Sequence, residues 1–367
     1  MTLPVSDTAP ARPAVGWAGL ARRAEAVVLP IGALLVGFAA FSLFLLLQGK
    51  SPADFFALVY RAGFGTAFSW ENTLSRAAPL LLAALCVALP ARLGLVVIGG
   101  EGAIVLGGVG AGFAGALLAG TPALIALPAM LLTAMVIGAV WIGAIGVLRH
   151  YRGVNETIAS LLMAYIAIAL MNHMVEGPLR DPASLNKPST EPLVDALRVG
   201  TLPGWDVHWG LAFGVIACVL VWILIDKTTW GFAARIAGGN VRAAQVQGLP
   251  VGRLIVGFTA LGGAFAGMAG FFEVAAVHGS ANASLAGGYG YTGILIAFLA
   301  RHNPLAIIPV AILLAGFEAS SGLVQRRMDL PDATVLVLQG FVFMSILMSE
   351  TLYGRFKLFA PERWRAA

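Results

Sequence analysis

Charge is what this sequence has least of. Asp, Glu, Lys and Arg make up 11% of its 367 residues while 59% are hydrophobic, against roughly 25% and 45–50% in soluble domains. So few charges cannot cover a water-soluble core, which excludes a soluble globular protein and leaves a polytopic membrane protein. Cysteine is nearly absent. Cys86 and Cys218 both lie in apolar runs, which excludes a disulfide framework and reads as small buried hydrophobes. The five histidines, His150, His173, His208, His278 and His302, scatter over span ends without an i, i+4 pair, so no metal is expected. There is no P-loop, no nucleophile–base constellation and no basic run interleaved with aromatics. These absences argue against an ATPase, an enzyme or a nucleic-acid binder, and no cofactor is expected in this chain.

What is there is apolar sequence in runs near the roughly 20 residues that cross a bilayer. The spacing predicts an all-α, polytopic transmembrane helix bundle of about ten spans, near 26–48, 72–90, 94–119, 122–148, 157–175, 209–226, 255–277, 288–300, 304–320 and 333–350. The organisation is an N-terminal tail over 1–25, one transmembrane domain over 26–350 and a C-terminal tail over 351–367. The run Ala26–Gln48 is longer than a signal-peptide core and reads as a retained first span. Two spans, 288–300 and 304–320, are short and flank "RHNP" (Arg301–Pro304), a natural helix break; short or Gly-interrupted spans often mark the path of a transported substrate. With the N-terminus inside, 15 of the 23 Lys and Arg fall on the inner side, Arg12, Arg22, Arg23 and Arg355 among them, and most acids fall in the outer loops. Both termini are therefore expected in the cytoplasm. The stretch 176–208 reads as an ordered outer loop without its own core. Glycine is abundant at 45 residues. Pairs such as Gly108/Gly112 and Gly263/Gly267 point to close helix packing or to a sliding interface.

Glu101 stands in the apolar run "LVVIGGEGAIVLGG". A carboxylate there must be paired, protonated or facing water. Gly99 and Gly100 can break a helix, which would put Glu101 near the N-terminus of the next one, where the dipole favours negative charge. It either serves that local role or lines a substrate path, and Arg92 is the nearest cation in sequence. In "RHYRGVNETIAS" Asn155 is a good N-cap with Glu156 and Thr157 in the first turn; the alternative is a gate or partner contact on the inner face. "GGYGYTG" (Gly287–Gly293) matches GxGxxG, but no strand precedes it, so it is a Gly-rich span start with two interfacial tyrosines, Tyr289 and Tyr291. Glu273 and Glu318 sit towards the outer ends of their spans, where they line an outer mouth or reach water.

One positive island interrupts the apolar chain: "GFAARIAGGNVRAAQVQGLPVGR", Gly231–Arg253. Asn240 is the expected N-cap of a helix over Val241–Gln247, with Gly248 at C′ and Pro250 blocking continuation. About two turns are marginal alone in water. The segment either lies on lipid headgroups or docks a cytosolic partner protein.

Four stretches together resemble the permeases of ABC importers, in the branch for simple sugars and nucleosides of the branched-chain-amino-acid/ribose-type superfamily. They are "APLLLAALCVALPARLGLVVIGGEG", "GVNETIASLLMAYIA", "ARIAGGNVRAAQVQGLPVGR" and "GGYGYTGILIAFLARHNP". The resemblance covers about Thr73 to Tyr353. It implies a translocation path for a small polar solute in a multi-pass protein of a bacterial-type plasma (inner) membrane, embedded in lipid. It also implies a cytosolic P-loop ATPase that binds ATP and Mg²⁺, a second permease subunit, identical or not, and an extracytoplasmic solute-binding protein. On this resemblance the cytoplasmic loop 227–254 is the coupling loop, with Arg235, Gly238, Asn240, Arg242, Ala243, Ala244 and Gly248 facing the ATPase. The substrate path is expected at Glu101, Gly100, Gly102, Val97, Ala103, Asn155 and Ala164. Val97, Ala103 and Ala164 stand where the family usually has asparagine, glutamine and asparagine. A pore lined there would be less polar than that of a typical sugar or nucleoside carrier. An ion-coupled carrier or channel using Glu101 is the alternative.

Overall fold

In a computed structural model the described residues are 17–352, with side chains described over most of that range. Residues 1–16 and 353–367 lie outside them, including Arg12, Arg355, Lys357, Arg363 and Arg365. The side chains of Arg22 and Arg23 are also outside the description. The chain forms helices α1 (Trp17–Leu47), α2 (Pro52–Phe64), α3 (Ala67–Ala91), α4 (Gly100–Leu117), α5 (Ala123–Arg152), α6 (Glu156–Glu176) and α7 (Gly210–Lys227). They are followed by α8 (Thr229–Gly239), α9 (Val241–Val246), α10 (Val251–Phe272), α11 (Tyr289–Leu299), α12 (Pro304–Met328) and α13 (Thr334–Leu352). Among the described residues there is no β-strand, only isolated bridges between Ser189 and Asn282 and between Thr201 and His208.

Each apolar run expected to be a span carries a helix, but not all ten helices are long and apolar enough to cross a membrane by themselves. Seven helices are long and apolar enough to cross a membrane, or eight if the broken pair Ile31–Leu47 and Pro52–Phe64 counts once. The shortfall has a physical cause. Residues 279–288 are mostly non-helical, so α11 is left with 11 residues, about 16 Å of helix. The apolar part of α13 covers only Thr334–Ser349.

The chain divides into two compact units, residues 51–339 and residues 1–50 with 340–367. In the smaller one, Phe41 and Phe44 of α1 set their rings 6.3 and 6.0 Å from that of Phe341. Nearby, a Cβ on Gly37 would stand 2.9 Å from the Val342 Cα. In the larger unit α3, α4 and α10 form the core. Their apolar windows are 78%, 83% and 78% buried, whereas those of α5, α6 and α7 are 22%, 28% and 33% buried. Glycine lets the inner helices touch. A Cβ on Gly107 of α4 would stand 2.6 Å from the Gly267 Cα of α10, and one on Gly263 of α10 would stand 2.8 Å from the Ile142 Cβ of α5. Such backbone approach is how helices bind where lipid supplies no hydrophobic drive.

Loop 177–209 is ordered by bonds to the segment after α10. Thr190, Leu193 and Val199 donate backbone N–H to the carbonyls of Ala281, Gly279 and Ala275 at 2.8–2.9 Å. His208 ties the loop to α3. Its Nδ1 accepts from Gly210 N (3.1 Å), so Nε2 carries the proton and donates to the Ser75 carbonyl (3.1 Å). Burial, only partly offset by Glu273 and by this bond, lowers the His208 pKa and keeps the ring neutral.

Candidate functional site

Residues 95–98, three of them β-branched, are non-helical and run along α6. Val96 N donates to Glu156 Oε1 (3.4 Å), Ile98 N to Ser160 Oγ (3.0 Å), and Thr157 Oγ1 donates to the Val96 carbonyl (2.9 Å). Asn155 caps α6 by accepting from Thr157 N and Ile158 N at 3.0 and 3.1 Å, so its side chain is committed to the helix start. Helix α4 begins at Gly100 and places Glu101 in its first turn.

From the other direction, residues 279–288 descend beside α4, with Ala281 near Gly112 and Leu285 near Gly108. They deliver the start of α11 to Glu101. Gly288 N donates to Oε1 at 2.7 Å and Gly290 N to Oε2 at 2.6 Å. The carboxylate is 1% exposed and lies at the positive ends of two helices, α4 and α11. Two short charge-assisted bonds and two dipoles offset its desolvation. A Cβ on Gly290 would stand 2.6 Å from the Glu101 Cα, so only glycine allows this approach. Arg92 is not the partner. Val97, Ala103 and Ala164 are fully buried and Gly100 and Gly102 are also enclosed. A Cβ on Gly102 would stand 3.0 Å from the Ala164 Cα. Six of the seven residues expected on the path thus come together, at a closed junction of α4 with α6 and α11. Asn155 stands apart at the exposed start of α6.

Of the seven residues expected to face the ATPase, six fall on α8, α9 and the Asn240 between them, and Gly248 follows the C-cap Gln247. Asn240 Oδ1 accepts from Ala243 N at 3.0 Å. The helix runs Val241–Val246 with Gln247 as C-cap. Gly248 has φ +76°, and Leu249 N reaches back to the Ala244 carbonyl at 3.0 Å. Ala244 is buried, while Arg242, Ala243 and Val246 are exposed. Residues 251–254 already belong to α10. Helix α8, which carries the exposed Trp230 and Phe232, precedes the short helix directly. Arg235 pairs with Asp226 at 3.0 Å. A Cβ on Gly238 would stand 3.1 Å from the Leu93 Cα, so α8 rests on the turn after α3.

That same turn holds the far end of α11. Arg92 Nη2 donates to the His302 carbonyl at 3.0 Å. Arg301 and His302 stand at φ +51° and +55°, a region that non-glycine residues seldom adopt. Arg92 Nε and His302 Nδ1 are buried and find no hydrogen-bond partner among the described residues. Burial, and secondarily the neighbouring Arg92, pushes the His302 pKa down to about 4.

At the opposite end of α3 and α12 lies a polar cavity of about 560 Å³, with Arg61, Asn72, Arg76, Gln325, Arg326 and Asp332 in its wall. It shares Arg76, Ser321 and Asp332 with a smaller lobe of about 150 Å³ that reaches Tyr289 and Glu318. Glu318 accepts from Thr292 Oγ1 (3.1 Å) and Gln339 Nε2 (3.4 Å). Glu273 is buried and faces His278 Nε2 at 3.4 Å. Sequence reasoning passed over this cavity, although Arg76, an ionisable group within the apolar run 72–90, is the signal that could have found it.

A family profile described as the permease component of the branched-chain amino acid transport system matches residues 69–347, well over half of the chain. The chain belongs to this family. The permease is 32% identical over 332 residues to a glucose ABC transporter permease protein of Haloferax volcanii, covering 88% of this chain and 87% of that one. It is 30% identical to a guanosine ABC transporter permease protein of Bacillus subtilis, covering 91% and 96%. It is 25% identical to a nucleoside ABC transporter permease protein of Lactococcus lactis, covering 80% and 84%. The resemblance drawn from the four sequence stretches is borne out. The permease is a multi-pass membrane subunit of an ABC transporter and not itself an enzyme.

Proposed function

We propose that this permease works in an importer for a small polar solute, a nucleoside, nucleobase or simple sugar, in a bacterial-type plasma membrane. A second permease subunit, a cytosolic ATPase that binds ATP and Mg²⁺, and an extracytoplasmic solute-binding protein complete the importer. The observation that carries this reading is near full-length similarity to permeases named for glucose, guanosine and nucleosides. Both termini and the α8–α9 segment are cytoplasmic, and the ten apolar helices make ten passes, two of them with short helices.

In this reading α8–α9 is where the ATPase docks. Arg235, Gly238, Asn240, Arg242, Ala243, Ala244 and Gly248 shape that element: Asn240 and Gly248 fix the ends of α9, and Gly238 seats α8 on the turn at Arg92. Closure of the ATPase would move this turn, and with it α11. The residues around Glu101 act at the closed end of the path, where the apolar Val97, Ala103 and Ala164 would seal it. An ion-coupled carrier built on Glu101 is disfavoured because both carboxylate oxygens are taken by backbone N–H groups.

The test is a tagged pull-down from native membranes in mild detergent. A stoichiometric P-loop ATPase is expected with the wild-type permease, and its loss on Asn240→Ala with Gly248→Ala, membrane insertion unchanged. A permease that comes out alone and transports in ATP-depleted vesicles sinks the importer reading.

A further inference from the structure

The polar cavity between α2, α3 and α12 is used by nothing described so far. It lies at the end of α3 remote from α8. Along the helix from Arg92, Arg76 is about 24 Å away. Its volume, about 560 Å³, is that of a small-molecule pocket. The guanidinium groups of Arg61 and Arg326 form no hydrogen bond or ion pair among the described residues. Arg76 spends only Nε, on Asn72 Oδ1 at 3.3 Å. The single acid on the larger lobe is Asp332. Three guanidinium groups thus face one carboxylate, beside the hydroxyls of Thr66, Ser69 and Ser321, and an exposed aromatic ring, Phe68, stands in the wall.

This composition separates two solute classes that share the importer reading. A hexose presents hydroxyls on a puckered ring, with no planar π face on which a guanidinium or an aromatic ring could stack. A purine base presents acceptors along one edge and flat faces above and below. Arginine pairs with such an edge bidentately, and guanidinium planes and aromatic rings stack on such faces. The smaller lobe leads from Arg76 to Tyr289 at the first turn of α11, next to the glycines held by Glu101. A solute in the cavity thus rests above the helix whose start Glu101 fixes.

We propose that this cavity is the outward-facing solute site of the permease, that it takes a purine nucleoside in preference to a hexose, and that Arg76 and Arg326 determine that choice. The inference rests on the importer reading. The test uses the full chain in its native complex. Cys86 and Cys218 are fully buried, so a Ser321→Cys variant gives one accessible thiol on the cavity wall. A membrane-impermeant thiol reagent should label it from the outer face. Guanosine should slow labelling and glucose should not. Arg326→Gln, an exposed position, and Arg76→Lys should each raise the half-protecting guanosine concentration about tenfold. Labelling only from the inner face, protection by glucose, no protection by guanosine, or protection indifferent to Arg326→Gln would each overturn the proposal. Failure of the importer reading shows separately, as absence of the ATPase from the same purified material.

Discussion

Glu101 shows how a single buried charge can hold two helices. Its oxygens accept from Gly288 and Gly290 at 2.7 and 2.6 Å, and neither contact survives intact if one oxygen becomes an amide. Glu101→Gln should cost about 2 kcal/mol and lower the unfolding midpoint of the detergent-purified permease by several degrees, with transport falling too. Wild-type stability and transport together would remove both roles considered for this residue. Gly290→Ala drives a methyl into the Glu101 backbone and should cost a further 1–3 kcal/mol or so, read in the same melting experiment. That Glu101 matters was legible in the sequence, because an ionisable group in an apolar run is never idle. Its partners were not, because they come from a segment nearly two hundred positions later, whose glycines carry no side-chain signal. The same holds for Val97, Ala103 and Ala164: one sequence shows that they are apolar, and only the fold shows them shut away from water.

Among the elements, α9 is the one the sequence described best. Asn240, Gly248 and Pro250 are local punctuation, and local chemistry decides where a two-turn helix starts and stops. Helix α8 was hidden inside the same positive stretch because its 11 residues carry two glycines at the end and no long apolar face. Its seat is tight at Gly238, against Arg92 and Leu93. Gly238→Ala should therefore leave α9 folded and the ATPase bound but tilt α8 off the α3 turn. The expected outcome is an unchanged subunit ratio on pull-down, with ATPase stimulation by loaded binding protein reduced several-fold. Loss of the ATPase itself would mean that the glycine serves docking rather than transmission. The discrepancy in span count also lives at this scale. Hydropathy counts apolar residues and cannot see that residues 279–288 are mostly non-helical and run beside α4.

For the whole molecule, the buried His302 ring beside Arg92 predicts a pH dependence with a definite sign. In the unfolded chain His302 takes a proton below about pH 6.5, whereas in the native protein it resists protonation until about 4. Its contribution is therefore complete above about pH 6.5 and drains away as pH falls from there towards 4, by at most about 3.4 kcal/mol. The unfolding midpoint should drop more steeply between pH 7 and pH 5 for the wild-type permease than for His302→Asn. Parallel slopes would show that the ring is not held neutral.

Helix α11 is gripped at its start by Glu101 and at its end by Arg92, through the His302 carbonyl. The two grips are nine positions apart on the stretch that joins α3 to α4, so residues 92–101 work as a calliper closed on a helix of fixed length. A residue inserted into α11 would move one end by about 1.5 Å and rotate it by about 100° relative to the other, and one jaw would have to open. Substitutions on the outward faces of this helix can drift, but its length cannot change unless the linker changes with it. The two segments should therefore gain or lose residues only as a pair.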